Sequence, residues 1–212
     1  MSGAAGPSGP PTVVVATHNA KKALELHRVL AAEQLEVTVL GLDDLPSYPE
    51  PAETETDFEG NALIKARAAA LRTGHVAVAD DSGIAVDLLN GMPGVRSARW
   101  AGPGASDTDN LELLLRQLVD TDPERRTARF VCAMALVTPD GREWTVRGEM
   151  AGHLVLQPRG RGGFGYDPIF VADGNEVTNA ELTPAQKDAI SHRGKAVRAV
   201  VPLLRSVLEE GR

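Results

Sequence analysis

Two adjacent carboxylates, Asp80 and Asp81, follow a predicted strand at residues 76 to 79 and precede Ser82 and Gly83. Neighbouring carboxylates at a strand's end repel each other, and a divalent cation would relieve that repulsion. Mg²⁺ takes one or two protein carboxylates and completes its shell with phosphates and water, which leaves the other carboxylate as a general base toward water. A polar turn uses the same residue types, and the two interpretations have equal weight.

A second candidate lies at residues 17 to 22, where a predicted strand meets a predicted helix. Its sequence, Thr-His-Asn-Ala-Lys-Lys, combines side chains that donate to phosphate oxygens with two positive charges. The free N–H groups of a helix start also favour an anion, so the segment is a candidate phosphate site. Taken alone, however, the segment favours another interpretation, an Asn19 N-cap followed by exposed lysines.

Acidic residues accumulate before and inside the next predicted helix, which has Asp57 as its N-cap and is ended by Gly74. Glu53 belongs to this stretch, and Lys65 lies on the helix one turn from Asn61 and on the same face. The other glutamates of the stretch are typical of acids that favour a helix N-terminus.

A glycine-rich loop at residues 162 to 168 contains Phe164 and Tyr166, two of only six Phe and Tyr residues in the chain. Glycines let a ligand approach the backbone, and an aromatic ring among them can stack on a base. Asp167 in the same loop is a candidate acceptor for a base edge. A β-turn whose aromatic side chain packs into the core is equally compatible with the segment.

The last candidate is Lys187 together with His192 and Arg193, which are donors near a predicted helix start and suit a ligand carbonyl oxygen. Solvent-facing charges at a helix boundary are the commoner situation. No His or Cys spacing suggests zinc, and the chain has no G-x-x-x-x-G-K-[ST] phosphate loop.

The elements that must position these groups alternate in the first half of the chain. Apolar runs predict strands at residues 12 to 17, 36 to 40 and 76 to 79, with amphipathic helices between them and another helix at residues 107 to 119. Alternating strands and helices indicate a parallel sheet.

The second half is richer in strands. Residues 127 to 137 and 143 to 148 predict a β-hairpin, and the last helix is predicted from 191 to 210 with Pro202 kinking or interrupting it. The chain is therefore predicted to be mixed α/β and not a pure doubly wound fold.

Composition narrows the function classes. The 212 residues carry a formal net charge of −7, which argues against binding bulk nucleic acid. No apolar run is long enough to span a bilayer, residues 1 to 11 lack a signal-peptide pattern, and Cys132 is the only cysteine. We therefore expect a cytoplasmic protein with no membrane partner and a disordered leader at residues 1 to 11.

The candidate segments occur in a distinctive order. They are Thr17-x-Asn19-x-x-Lys22, residues 53 to 65, Asp80-Asp81-Ser82-Gly83, Ser97-Ala98-Arg99, Gly163-Phe164-Gly165-Tyr166-Asp167-Pro168, Glu181-Leu182-Thr183 and Ser191-His192-Arg193-Gly194. In this order they resemble the inosine triphosphate pyrophosphatase family, also called non-canonical purine NTP pyrophosphatases or XTP/dITP diphosphatases. The resemblance covers about residues 12 to 209, which we interpret as a single domain.

The resemblance implies a two-lobed mixed α/β fold with the active site in the central cleft, a homodimer and Mg²⁺ as the cofactor. It implies hydrolysis of purine nucleoside triphosphates such as ITP, dITP and XTP to the monophosphate and pyrophosphate. It also implies that Asp81 is the general base and, with Glu53, a metal ligand. The implied substrate contacts are Thr17, His18, Asn19, Ala20, Lys21, Lys22, Lys65 and Ser82 for the phosphates, and Phe164, Gly165, Tyr166, Asp167, Lys187, His192 and Arg193 for the nucleoside.

One position departs from the family pattern, because His18 stands where glycine is common. A positive φ or a close phosphate approach at this position would make His18 unfavourable, although histidine tolerates left-handed backbone better than most residues. Two other functions remain open at this stage: a pyrophosphatase for modified pyrimidine nucleotides, and a nucleotide-binding protein without turnover.

Overall fold

The computed structural model describes residues 10–46, 48–49 and 51–210. Most of the predicted leader, residues 1–9, lies outside this part of the chain. The backbone carbonyl of Pro11 accepts a hydrogen bond from the Thr38 amide at 2.9 Å, so the last leader residue already contacts the sheet.

Six strands form one mixed sheet in the order β2-β1-β3-β4-β5-β6. The strands are β1 (Thr12–Val15), β2 (Thr38–Gly41), β3 (Val76–Val86), β4 (Thr127–Val137), β5 (Glu143–Leu154) and β6 (Phe170–Ala172). β1 pairs in parallel with β2 and β3, whereas β3, β4, β5 and β6 pair antiparallel in succession. The predicted mixed α/β class is confirmed, and β3 joins its parallel half to its antiparallel half.

Five α-helices pack around the sheet within the described residues. They are α1 (Ala20–Ala32), α2 (Phe58–Thr73), α3 (Asp107–Gln117), α4 (Pro184–Ile190) and α5 (His192–Glu210). α1 and α5 cover one face and α2 covers the other. None of the helices described is long and apolar enough to cross a membrane.

Alternation along the strands decides which helix each side chain meets. Val78 points to the face covered by α1 and α5, whereas Ala77 and Ala79 point to the face covered by α2. Side chains alternate between faces with a period of two, so the residues that follow in β3 continue this pattern. α2 packs through small side chains, including Ala62 and Ala66, which lets the helix lie close to the sheet.

The ends of α2 are those predicted. The Asp57 side chain accepts a hydrogen bond from the Gly60 amide at 2.7 Å, and Gly74 ends the helix with a left-handed φ of 67°. Asn19 caps α1 in the same way. Leu26, Val29 and Leu30 of α1 are buried, whereas Leu24 is 64% exposed.

Two predicted strand boundaries are wrong. β3 does not end at residue 79 but continues to Val86, because Asp80 pairs with Met134 of β4 and the pairing extends to Ala128. β5 extends from Glu143 to Leu154, six residues beyond the predicted 148, because the hairpin keeps pairing with β4. Helix α5 passes through Pro202 without interruption.

Helix α5 lies very close to β5 at Gly148. A Cβ placed on Gly148 would overlap the backbone carbonyl oxygen of His192 and the backbone nitrogen of Ala196. Because Gly148 has no side chain, the first turn of α5 can lie this close to the sheet.

Candidate active site

One cleft collects side chains from both halves of the sheet. All of the predicted site residues line it except Ala20 and Lys21. The lining also includes residues for which the sequence predicted no role, namely Gly83, Val95, Ser97, Ala98, Arg99, Asp107, Asn110 and Phe130. Segments that are up to 176 residues apart, from Thr17 to Arg193, thus meet in one place.

The start of α1 forms one end of the cleft. Asn19 accepts hydrogen bonds from the backbone amides of Lys21 and Lys22, both at 3.1 Å, so its predicted alternative role as N-cap is confirmed. Lys21 is exposed, whereas Lys22 faces the cleft and lies 3.2 Å from Asp80. Among non-glycine residues described, only Gln34 and Asn90 have positive φ, so His18 is accommodated without left-handed backbone.

The predicted crowding of Asp80 and Asp81 is wrong. Both are inside β3, so their side chains point to opposite faces of the sheet. The Asp80 carboxylate lies beneath the cleft beside Lys22 and Arg193, whereas the Asp81 carboxylate accepts a hydrogen bond from Asn61 at 3.2 Å and lines the cleft. Only Asp81 is therefore placed to meet a ligand.

The two carboxylates have opposite pKa shifts. Burial raises the pKa of Asp80, but the positive charges of Lys22, Arg193 and Lys65 outweigh burial and hold the pKa well below its usual value. Burial raises the pKa of Asp81 more than Lys65 and Lys22 lower it. Asp80 is therefore a fixed anion, while Asp81 has the greater affinity for a proton.

Lys65 links the two predicted metal ligands. Its ammonium lies 2.8 Å from Glu53 Oε1 and 3.8 Å from Asp81 Oδ1, and Arg99 contacts the other Glu53 oxygen at 3.1 Å. Burial opposes the charge of Lys65, but Asp80, Asp81 and Glu53 together raise its pKa. Glu53 and Asp81 thus share the Lys65 ammonium at this end of the cleft.

The carboxylates of Glu53 and Asp81 fit Mg²⁺ only if a bound substrate supplies further ligands. Among the described residues no group of three or more His, Cys, Asp and Glu side chains could hold a metal. Mg²⁺ is commonly held by one or two carboxylates together with substrate phosphates and water, and Glu53 and Asp81 supply that number. A metal bound by protein alone would find too few ligands here.

The other end of the cleft has a buried chain of charges. Glu25 of α1 contacts Lys187 at 2.9 Å and also Arg193, while Lys187 contacts Asp167 at 2.7 Å. Through Asp80, Arg193 connects this chain to Lys22 at the α1 end of the cleft, where the phosphate contacts are predicted and which we call the phosphate end. Each of these side chains except Lys22 is at least nine-tenths buried. The sequence motifs gave Glu25 no role in the site.

Arg193 is already well supplied with partners. Nη1 donates to Glu25, Nη2 donates to Ser82 Oγ at 2.9 Å, and Nε lies 3.5 Å from Asp80 without meeting hydrogen-bond geometry. A base carbonyl would have to share these donors. The contact of Arg193 with the base therefore remains a prediction.

His192 is buried and stacks on Phe130, with ring centroids 4.9 Å apart and planes at 12°. Its Nδ1 has no hydrogen-bond partner within the part of the chain described. Burial lowers its pKa well below the usual range, and the charges of Arg193 and Lys187 lower it further. His192 is therefore a neutral ring with one donor and one acceptor nitrogen.

The glycine-rich loop is fixed by hydrogen bonds on its inner side. The Asp167 carboxylate accepts from the Phe164 amide at 2.9 Å, and the Tyr166 hydroxyl donates to the Ser97 carbonyl at 2.8 Å. Phe164 is half-buried, and the ammonium of Lys187 lies 4.9 Å from its ring centroid. Tyr166 therefore packs into the core, whereas Phe164 is the ring available to stack.

Ser97 has a structural function that the motif alone did not reveal. Its hydroxyl accepts from the Ile84 amide at 2.9 Å and donates to the Gly94 carbonyl at 2.6 Å. A Cβ on Gly83 would overlap Ser97 Oγ. The glycine of the Asp-Asp-Ser-Gly run thus allows the 3-10 segment Gly94–Arg99 to lie against β3 and to bring Arg99 to the cleft.

Comparison with known proteins identifies a family. A family model described as the Ham1 family matches residues 13–203. A dITP/XTP pyrophosphatase of Frankia alni is 59% identical over 201 residues, covering 92% of this chain and 98% of that protein. One from Cutibacterium acnes is 55% identical over 199 residues, covering 93% and 98%. A HAM1 protein of Coxiella burnetii superposes with a TM-score of 0.83 at 38% identity, covering 92% of this chain and 99% of that one.

Proposed function

Because the chain belongs to the Ham1 family, we propose that it hydrolyses non-canonical purine nucleoside triphosphates such as ITP, dITP and XTP. The products are the nucleoside monophosphate and pyrophosphate. The observation that carries the proposal is the single cleft that brings Asp81, Glu53 and two lysines to one end and Phe164 and His192 to the other. The name dITP/XTP pyrophosphatase of its relatives supports the same reaction.

Asp81 is the general base of the proposed reaction. Its carboxylate lines the cleft, and burial raises its pKa, which increases its affinity for a proton from water. The oxygen of that water bonds to the α-phosphorus, and the bond from the α-phosphorus to the bridging oxygen breaks. Pyrophosphate leaves while Lys22 and Lys65 balance its charge, so positioning and electrostatics provide most of the catalysis.

We propose Mg²⁺ as the cofactor, with Glu53 and Asp81 as its protein ligands. When bound, it would supply positive charge against the triphosphate. Lys65 now contacts both carboxylates. The phosphates attract the same ammonium, so substrate binding would draw Lys65 away from Glu53 and Asp81.

Base selectivity would depend on His192 and on Arg193. Hypoxanthine and xanthine present a carbonyl oxygen at position 6, which accepts a hydrogen bond, whereas adenine presents an amino group. Arg193 already donates to Glu25 and to Ser82, so His192 is the less engaged of the two donors. A site built on such hydrogen bonds can reject a mismatched group by roughly 10⁴-fold.

A pyrophosphate-release assay with ITP, XTP, dITP, GTP, ATP and a modified pyrimidine triphosphate, with and without Mg²⁺, tests the proposal. We expect turnover of ITP, XTP and dITP that requires Mg²⁺ and is far slower with ATP. Equal rates with ATP and ITP would defeat the selectivity argument. Turnover confined to modified pyrimidine triphosphates would support the first alternative, and binding without pyrophosphate release would support the second.

We also propose a homodimer, as the family resemblance implies, and a cytoplasmic location, as the sequence leads us to expect. The chain has a mass of 22.4 kDa, so sedimentation analysis of the purified protein separates a monomer from a dimer. A single monomeric species at micromolar concentration would contradict the proposal.

A further inference from the structure

We infer that Asp107 binds the 3′ hydroxyl of the nucleotide sugar, an inference that rests on the proposed function. Asp107 is the first residue of α3 and lines the cleft, although sequence motifs gave it no role. Its side chain is 55% exposed, so a ligand can reach it.

The position of Asp107 lies between the two ends of the cleft. Asp107 Oδ2 accepts from the Gly165 amide at 3.0 Å, in the loop that presents Phe164. The same oxygen lies 3.4 Å from Lys21 Nζ, in the first turn of the helix that begins at the phosphate end. The sugar of a nucleotide joins its phosphates to its base, so a group held between these two elements is placed beside the sugar.

One Asp107 oxygen remains available. No donor among the described residues contacts Oδ1. The other acids of the cleft have both oxygens engaged: Glu53 with Lys65 and Arg99, and Asp81 with Asn61, Ser82 and Lys65. Asp167 is likewise engaged, by Phe164, Lys187 and Asn179. Among the acids of the cleft that the structure describes, Asp107 thus has an oxygen, Oδ1, that can accept a further hydrogen bond.

Chemistry selects a sugar hydroxyl as the partner. A carboxylate oxygen only accepts hydrogen bonds, so it would repel phosphates and base carbonyls. Sugar hydroxyls donate, and an acidic side chain fills this function in dinucleotide-binding folds. The relatives' name pairs a deoxyribonucleotide with a ribonucleotide, and the hydroxyl common to both is at the 3′ position.

The test compares ITP, dITP and 2′,3′-dideoxyinosine triphosphate as substrates for wild type, Asp107→Asn and Asp107→Ala. We expect wild-type kcat/KM to be similar for ITP and dITP and about tenfold or more lower for the dideoxy substrate, because a hydrogen bond to a charged group is lost. Asp107→Ala should lose a similar factor with ITP and dITP and change little with the dideoxy substrate. Asp107→Asn, which keeps the shape but not the charge, should lose less.

Glu112→Gln is the matched control, because Glu112 is an exposed acid on the same helix and does not line the cleft. It should leave all three substrates unchanged. An equal loss with all three substrates in Asp107→Ala would overturn the inference and assign Asp107 to the loop or the base. Equal wild-type turnover of ITP and the dideoxy substrate would overturn it without any variant. Failure of the proposed function differs from both, because wild type would then release no pyrophosphate from ITP.

Discussion

The two ends of the cleft hold their charges differently. At the phosphate end, Glu53 is one-quarter exposed and Arg99 is 40% exposed, and one Lys65 ammonium is shared between two carboxylates. At the base end, Glu25, Lys187 and Arg193 are almost fully buried and bonded to one another. The end proposed to bind phosphates can therefore rearrange its charges when a triphosphate binds, whereas the charges of the end proposed to bind the base are already fixed.

The difference fits what each end is proposed to recognise. A triphosphate brings several negative charges, so side chains that meet it must exchange their present partners for phosphate oxygens. A base is distinguished by the position of single hydrogen-bond groups, and such discrimination requires donors that do not move. Burial of paired charges costs desolvation but fixes their geometry, and we interpret the chain through Glu25 in that way.

The largest effect is expected from Asp81→Asn, which removes the base without removing the cleft. We expect kcat with ITP to fall by roughly 10²- to 10⁴-fold, while ITP binding by calorimetry and the unfolding midpoint stay close to wild type. Glu112→Gln serves as the exposed control. Turnover near the wild-type rate would remove Asp81 from the mechanism.

A pair of variants separates the two ends by stability. Glu25→Ala leaves Lys187 and Arg193 buried without their shared partner, and we expect it to lower the free energy of unfolding by about 3–5 kcal/mol. Glu53→Ala removes a more exposed acid and should cost about 1 kcal/mol or less. Denaturant titration measures both. Equal losses would show that the two ends are equally dependent on their ion pairs.

Acid should lower the free energy of unfolding through His192 at the base end. The pKa of His192 is lowered by burial in the folded state, so the unfolded chain binds more protons below its usual value near 6.5. Stability from this residue is therefore complete above that pH and declines as the pH falls from about 6.5 toward 5. His192→Gln should show a smaller decline than wild type in denaturation at pH 7.5 and 5.5. Parallel pH profiles would contradict a neutral His192.

The smallest effect is expected from Lys21→Ala. Lys21 is 60% exposed and pairs with a half-exposed Asp107, and such surface pairs contribute about 0–1 kcal/mol. We expect kcat/KM for ITP to change by less than about fivefold, against a much larger loss for Lys22→Ala, whose ammonium faces the cleft. A large loss in Lys21→Ala would restore its predicted role as a phosphate contact.

Local sequence patterns predicted those parts of the fold that depend on interactions between residues close together in the sequence. The N-cap at Asp57 and the left-handed Gly74 depend on hydrogen bonds and backbone freedom within a few residues. The run Asp80 to Gly83 is different. Its composition is typical of a turn, but pairing with β4 keeps it extended. The sequence around the run does not indicate which distant strand will pair with it.

The site was predictable where residues form a motif and less so where contacts are long-range. Glu25 reads as one more polar residue of an amphipathic helix, although its position beside the buried Leu26 and one turn before Val29 was a signal that it faces inward. Its partners lie about 160 residues away, at Lys187 and Arg193. Asp107 stands outside every motif, and only its proximity to Gly165 and Lys21 marks it.

Gly148 lies outside the cleft, yet it sets the position of residues that line it. Any side chain there would push against the backbone of His192 and Ala196 and move the first turn of α5 away from β5. His192 and Arg193 would move with that turn. We therefore expect a larger residue at position 148 to change substrate preference. Screens for altered preference can select such variants although Gly148 does not line the cleft.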